Sequence, residues 1–497
     1  MSDRPRNVIV LTSDEMRGDG PAFMGNADCK TPHLDRFAER GVVFARHFAV
    51  HGKCVPSRIS MVTGRYCHTD GFRTITQLLP PEAPNLLGAL KARGYESAVF
   101  GINHVWETLF ASNEKSGGYA DYHSFVGHYH DMALREVPVQ APGPDAHQPP
   151  ETGGIDYDYV GRIDGAVTGF SDDARTDQAI DYLTRTRDRS RPFYLHVNLS
   201  RPHPRYEVEE PYFSMYDRGS IRAWPHELPA NAPLAMRAMR EIRTSLDPPP
   251  PEEVLREIQC VYYGMITKVD SLFGRIFDAI EAEGLWENSI VLFAADHGDF
   301  AGQYGLFEKW DTCLADCLLH VPCVLWAREL PAGRRVEALT EHVDVAPTLL
   351  ELLGIDGDWG MHGRSLLPVV AGQPGKACVF ADGGHEEDMW ERFGFPTTDK
   401  DGQPRPLSSK QVTYRDCPES MARAKMARSD RWKLVMRLAG GNELYDLASD
   451  PYELNNLYGR SENDAELAGV VLDLQRKMIE WCLRTDTDRP YQQQVGA

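Results

Sequence analysis

Short runs of β-branched and aliphatic residues recur along the chain, each closing on polar or acidic positions. The first, Asn7–Ser13 (NVIVLTS), shows no alternation with polar residues, so it reads as a parallel strand buried on both faces that ends at Asp14 and Glu15. Glu96–Gly101, Phe193–Leu199, Ser289–Ala295 and Val321–Trp326 have the same character. Helical spacing fills the gaps. Pro84–Arg93 stops at Gly94, Thr176–Arg185 carries Ala179, Ile180 and Leu183, and Asp344–Leu353 stops at Gly354. The longest helix is predicted over about residues 252–283, with Val261, Met265, Val269, Leu272, Ile276 and Ile280 on one face. Strands alternating with helices imply a mostly parallel sheet covered on both sides.

Three stretches lack clear periodicity: His128–Phe170, Arg205–Pro251 with its four closing prolines, and Gly383–Lys410. Long irregular segments in a compact enzyme are often binding loops or lids. In the third, Trp390 with Glu386, Glu387 and Asp388 has the chemistry to meet a cationic leaving group, or is a solvated surface loop. Beyond residue 377 the pattern changes to short strands at Ala377–Ala381 and Arg431–Met436, a turn at Gly440-Gly441, and a closing helix at Glu466–Arg484. Residues 1–377 are therefore expected to form a catalytic α/β domain and 378–497 a small antiparallel α+β subdomain. No internal repeat is present.

The composition narrows the function classes. The 497 residues carry 53 Lys+Arg against 73 Asp+Glu, a formal charge of −20, which disfavours nucleic acid and anionic membranes because both need a basic face. Taken alone it disfavours an anionic substrate as well. No apolar run approaches the roughly 18–20 residues of a membrane span. The apolar stretch near Met1, about five residues, is too short for a signal sequence. With ten cysteines in so long a chain and no CxxC pair, the expected compartment is the reducing cytoplasm. Cys313, Cys317 and Cys323 read as buried small side chains rather than metal ligands.

Against that background, Cys54-Val55-Pro56-Ser57-Arg58 followed by Thr63-Gly64-Arg65 stands out. Alone, Cys54 would be a buried cysteine beside a turn proline. The five positions with the T-G-R stretch resemble the signature of the sulfatase family, formylglycine-dependent members of the alkaline-phosphatase superfamily. Thr31-Pro32-His33-Leu34-Asp35 and the C-terminal Glu443-Leu444-Tyr445-Asp446-Leu447, Asp450-Pro451 and Asn455-Asn456-Leu457 also resemble family segments, so the likeness spans nearly the whole chain. It implies an alkaline-phosphatase-like α/β/α sandwich with a mostly parallel central sheet. It also implies that a formylglycine-generating enzyme oxidises Cys54 during maturation.

The resemblance further implies metal ligands at two strand ends: Asp14 after the first run, and Asp296-His297-Gly298-Asp299 after Ser289–Ala295. Independently of the family, ligand sites in open parallel sheets gather at the carboxyl ends of strands. Carboxylate oxygens with one imidazole suit a single hard divalent ion, Ca2+ first and Mg2+ or Mn2+ after it. The implied set is Asp14, residue 54, Asp296 and His297. Glu15 stands where relatives carry Asp or an amide, and its longer reach leaves it outside the set.

Cations should surround a transferred anion. Arg58 comes with the signature, and Lys309 matches the lysine that follows the family's D-H-G. Arg201-Pro202-His203-Pro204 resembles K-P-H-x-P, which gives His203 the departing alcohol. Gly101-Ile102-Asn103-His104 resembles G-K-x-H, which makes His104 the base for release of the covalent sulfo-enzyme intermediate. Ile102 replaces the family lysine, a departure shared with phosphonate monoester and phosphodiester hydrolases. The sequence thus points to hydrolysis of a small anionic ester, sulfate first and phosphorus second. A third alternative is a metal-binding protein whose Cys54 is never converted. Self-association stays open.

Overall fold

The computed structural model describes residues 6–75, 77–80, 82–106, 122–123, 150, 159–163, 172–246, 250–357, 359–385, 407 and 409–486. Most of the irregular stretch 128–170, and the group Glu386, Glu387, Asp388 and Trp390, lie outside the described residues.

The first apolar run forms β1 (Asn7–Asp14) at the middle of a nine-stranded sheet. The other main-sheet strands are β2 (Val42–Phe48), β3 (Glu96–Gly101), β4 (Tyr122–His123), β6 (Phe193–Pro202), β8 (Ser289–Ala295), β9 (His320–Val321), β10 (Cys323–Ala327) and β11 (Arg334–Glu341). The order is β11-β2-β10-β8-β1-β6-β3-β4, with β9 paired to β2. A separate pair joins β5 (Tyr159–Arg162) to β7 (Tyr206–Val208). Pairing within β8-β1-β6-β3-β4 is parallel throughout. Strand alternation sends Ile9 and Leu11 into one core and Val8 and Val10 into the other. That is why the run shows no polar partner: both faces are covered.

One face carries the helix Glu252–Ala282, whose six predicted face residues are all buried. It also supports its neighbour, since Asp270 accepts the backbone N–H groups of His33 and Leu34 at 3.0 and 2.7 Å, occupying free donors at the start of helix Pro32–Arg40. The other face carries Cys54–Thr63, Leu86–Lys91 and Val345–Leu353. A second, antiparallel sheet of β12 (Val379–Gly383), β13 (Ala424–Arg428), β14 (Trp432–Arg437) and β15 (Glu443–Asp446) packs under the closing helix Ala465–Thr485. Val50, Tyr66 and Val343 of the main body share that core. None of the described helices is long and apolar enough to cross a membrane.

Three elements differ from expectation. The run 321–326 breaks at Pro322, and β10 runs antiparallel to both β2 and β8. Within 205–251 the segment Leu234–Leu246 is helical with Ala235, Met236 and Ala238 buried, its apolar positions being interleaved with Arg237, Arg240 and Glu241. The strand β2 is missing from the apolar pattern because Arg46 and His47 interrupt it, His47 being buried against Thr340 and His342 at 2.9 Å each.

Candidate active site

Strand order places the chemistry. Pairing of Ser13 with Ala295 sets Asp14 and Asp296 beside each other at adjacent strand ends. The next strands, β6 and β3, then deliver His203 and His104 in turn. Facing them is the start of helix Cys54–Thr63, with Cys54 as its first residue and Gly64 closing it in the left-handed conformation (φ 68°). A helix start directs N–H groups and positive dipole outward, which favours anionic character at residue 54.

Four donor groups converge there. Ligand atoms of Asp14, Glu15, Cys54 and His297 all lie within 4.8 Å of one another, and all four residues are buried. The His297 Nδ1–H donates to the Gly298 carbonyl at 2.8 Å, which leaves Nε2 as a bare acceptor 3.2 Å from the Cys54 sulfur. Both Glu15 carboxylate oxygens are buried without a hydrogen-bond donor, although the Lys309 ammonium pairs with one and His203 Nε2 lies 3.2 Å from the same atom. Glu15 is held at φ 66°, a conformation costly for a non-glycine residue. This donor set fits a hard divalent cation, and the orphaned Glu15 oxygens are what such an ion would satisfy. Glu15, outside the set read from sequence, has its carboxylate in this cluster.

Asp296 stands next to this group with its oxygens in use. One accepts the backbone N–H groups of Glu15 and His297 at 3.1 and 2.8 Å, the other the Arg58 Nε–H at 2.8 Å. Ser57 and His342 hold its carbonyl at 2.6 and 3.1 Å. Arg58 is fully buried. Its remaining nitrogens donate to Asp14 at 3.0 Å and to Asn198 and the Ile102 carbonyl at 3.2 Å each. Here Arg58 is the counter-charge of the two carboxylates rather than a free arm for substrate.

Charges set the protonation states. Burial raises the Asp14 carboxyl, but Arg58, His203, Lys309 and His297 outweigh it and hold Asp14 well below the usual carboxylate range. Burial, with Asp14 and Asp296, pushes the Cys54 thiol well above its ordinary value. The two rim histidines are driven apart. Burial and then Arg58 bring His104 down to about 4, against the pull of Asp14 and Asp296, so it is a neutral base near pH 7. For His203, burial is outweighed by Asp14 and Glu308, and its value rises. Geometry agrees: Nδ1 faces the Pro204 carbonyl at 2.5 Å and Nε2 lies 3.2 Å from a Glu15 carboxylate oxygen, so each ring nitrogen faces an oxygen, the setting of an imidazolium.

Of the other residues named from sequence, Lys309 reaches the centre through Glu15. Asn103 does not replace the missing lysine, because its amide bonds the backbone of Val105 and Trp106 in a local turn. Arg201 is buried, its N–H donating to Asp172 at 2.9 Å. Cys313, Cys317 and Cys323 are buried free thiols. Sequence reasoning missed Lys53, paired with Asp311 at 2.8 Å, and the pair Glu308–Lys410. Lys53 had a signal in its place next to Cys54, whereas Lys410 had none.

Comparison with known proteins supports this reading of the fold. The chain is 27% identical to the multifunctional alkaline phosphatase superfamily protein PehA of Trinickia caryophylli, over 96% of this chain and 95% of that one. It is 24% identical to an ulvan-active sulfatase of Formosa agariphila, over 95% and 81%. The crystal structure of the phosphonate monoester hydrolase of Agrobacterium radiobacter superposes with a TM-score of 0.71 at 25% identity, covering 97% of this chain and 96% of that one. The family model for sulfatases matches residues 6–355, and with that extent of match the chain belongs to the sulfatase family.

Proposed function

We propose that the protein hydrolyses sulfate esters, with residue 54 in its formylglycine form as nucleophile beside one divalent cation. The observation that carries this is the convergence of Asp14, Glu15, His297 and residue 54 at a helix start, inside a sulfatase-family chain. For an unmodified Cys54, burial and the carboxylates of Asp14 and Asp296 disfavour the thiolate. Hydrated formylglycine supplies a geminal diol, one hydroxyl to attack sulfur and a second to release it. A bound Ca2+, or Mg2+ or Mn2+, supplies Lewis acidity and lowers the pKa of a hydroxyl it touches.

The chain's own groups do the rest. Asp14, Glu15, Asp296 and His297 would hold the cation. Arg58 fixes Asp14 and Asp296 in position, and Lys309 adds positive charge. His203, an imidazolium, would donate its Nε2 proton to the departing alcohol oxygen. His104, neutral, would accept a proton from the second hydroxyl of residue 54. The acid excess of the whole chain does not oppose an anionic substrate, since a divalent ion, Arg58, Lys309 and His203 reverse the sign locally. Maturation would need a formylglycine-generating enzyme. Ten cysteines, all free, fit a reducing cytoplasm.

The opposed shifts predict the pH profile. As pH falls through about 4, His104 takes up a proton and the rate drops. As pH rises through the elevated His203 value, its proton is lost and the rate drops again. Burial also brings Lys309 down to about 7, so its ammonium contributes to the same limb. His203→Gln should shift the alkaline limb of kcat/KM and leave the acid limb in place, and an alkaline limb unchanged by the substitution contradicts the assignment.

A second reading, hydrolysis of phosphonate monoesters or phosphodiesters by the same groups, is favoured by Ile102 at the lysine position and by the Agrobacterium neighbour. Parallel kcat/KM measurements on aryl sulfate, phosphodiester and phosphonate monoester separate the two. Sulfate is expected to lead, and dominance of the phosphorus esters overturns the first reading.

A further inference from the structure

The floor of the site is closed to solvent: the side chains of Asp14, Glu15, Arg58 and His297 are all 0% exposed. Among the described residues of the site, exposure appears at the rim, where the His104, His203, Glu308 and Lys410 side chains are 33, 34, 24 and 26% exposed. If the transferred group sits on the floor, as the proposed function has it, the rest of the substrate meets this rim. Glu308 lies on the His203 side, its carboxylate within 4.8 Å of both the His203 ring nitrogen and the Glu15 carboxylate. The leaving alcohol oxygen has to come to His203, so its carbon skeleton extends past Glu308.

Resting on that function, we propose that Glu308 and Lys410 form the leaving-group subsite, and that it takes an alcohol bearing further hydroxyl groups near the ester, a polyol or sugar, in preference to a flat aryl group. The Lys410 ammonium donates to both Glu308 oxygens, at 2.9 and 2.8 Å. The pair still offers lone pairs on the carboxylate and a third N–H on the ammonium, side by side, which matches the alternating donor and acceptor character of neighbouring hydroxyls. An aryl ring would desolvate both charges and satisfy neither. The pair also carries no net charge, so it leaves the affinity of the floor for an anion unopposed.

The Glu308 carboxylate is fixed in advance. Its backbone is held at φ 59°, its N–H donates to the Tyr206 hydroxyl at 3.1 Å, and its carbonyl accepts from Phe300 N–H at 3.0 Å. Tyr206 is in turn anchored on Asp299 at 2.6 Å. Lys410 arrives from the helix Ser409–Asp416, docked on the main body by Tyr414 stacked on Trp310 at 4.9 Å. Binding therefore requires little ordering of the subsite.

The test compares two alkyl esters of the same acid, cyclohexylmethyl sulfate and a hexose 6-sulfate, in the wild type, Lys410→Met and Glu308→Gln, with 4-nitrophenyl sulfate as a check on folding. Both alkyl esters leave as primary alcohols that need the His203 proton alike, so the ratio of their kcat/KM values isolates the hydroxyl contacts. Each variant is expected to lose roughly tenfold more on the hexose ester, the effect of one or two hydrogen bonds. Retained 4-nitrophenyl turnover shows that the variant is folded. Equal losses on the two esters, or hexose turnover that stays at the wild-type level, overturn the subsite. If the wild type prefers phosphorus esters, the sulfatase reading fails by itself, and the same ratio is read from the propyl and glyceryl monoesters of a phosphonate. A wild type that turns over no ester of either acid overturns both.

Discussion

Replacing Cys54 with alanine is expected to lower kcat by roughly 10^4–10^6-fold on every ester the protein hydrolyses, the scale seen when a covalent nucleophile is removed. The loss should fall on kcat rather than KM, because the ester oxygens would still meet the cation and Lys309. Folding should be preserved: the Cys54 side chain contributes one thiol contact to Asp14 at 3.5 Å and one to His297 at 3.2 Å, neither of which supports the helix. Steady-state kinetics with thermal unfolding of the variant checks both halves. A C54A protein that keeps more than a few per cent of wild-type kcat would mean that residue 54 is not the nucleophile.

The second large effect is structural. Arg58 is a fully buried cation between two fully buried carboxylates, Asp296 at 2.8 Å and Asp14 at 3.0 Å. Arg58→Met removes that charge and leaves both carboxylates uncompensated, at a cost of roughly 3–5 kcal/mol of stability. A divalent ion held by Asp14, Glu15, Asp296 and His297 would neutralise part of the same excess. Calcium should therefore raise the unfolding midpoint of R58M more than that of the wild type, and a chelator should lower it more. Identical calcium responses in the two proteins would contradict a cation site built on these carboxylates. The effect on folding is separable from catalysis, since unfolding is read without substrate.

The parts of the site that could be read from sequence are those set by local pattern. Asp14 and Asp296 could be placed because each follows an unbroken apolar run, and parallel strands present their carboxyl ends to one edge. Their adjacency depends on the Ser13–Ala295 register, which no local signal encodes. Glu15 is hard to place from sequence for a related reason: side-chain length sets its reach, while the left-handed backbone at φ 66° decides where the carboxylate points. Arg58 could be located but its partners could not, because they come from β1, β6 and the ends of β8 and β3. Lys410 was out of reach altogether. It meets Glu308 across 102 positions of chain, at the end of a segment with no periodicity. In the fold, β2 escaped notice because its buried polar residues, His47 among them, are satisfied by tertiary hydrogen bonds rather than by sequence neighbours.

The most direct measurement on the central claim is the mass of the tryptic peptide Cys54–Arg58, which trypsin releases by cutting after Lys53 and Arg58. Protein from its native host is expected to yield this peptide in the formylglycine form, lighter than the cysteine form by a fixed amount and reactive toward hydrazines. A peptide that carries only the unmodified thiol, from protein that hydrolyses esters, would contradict the account.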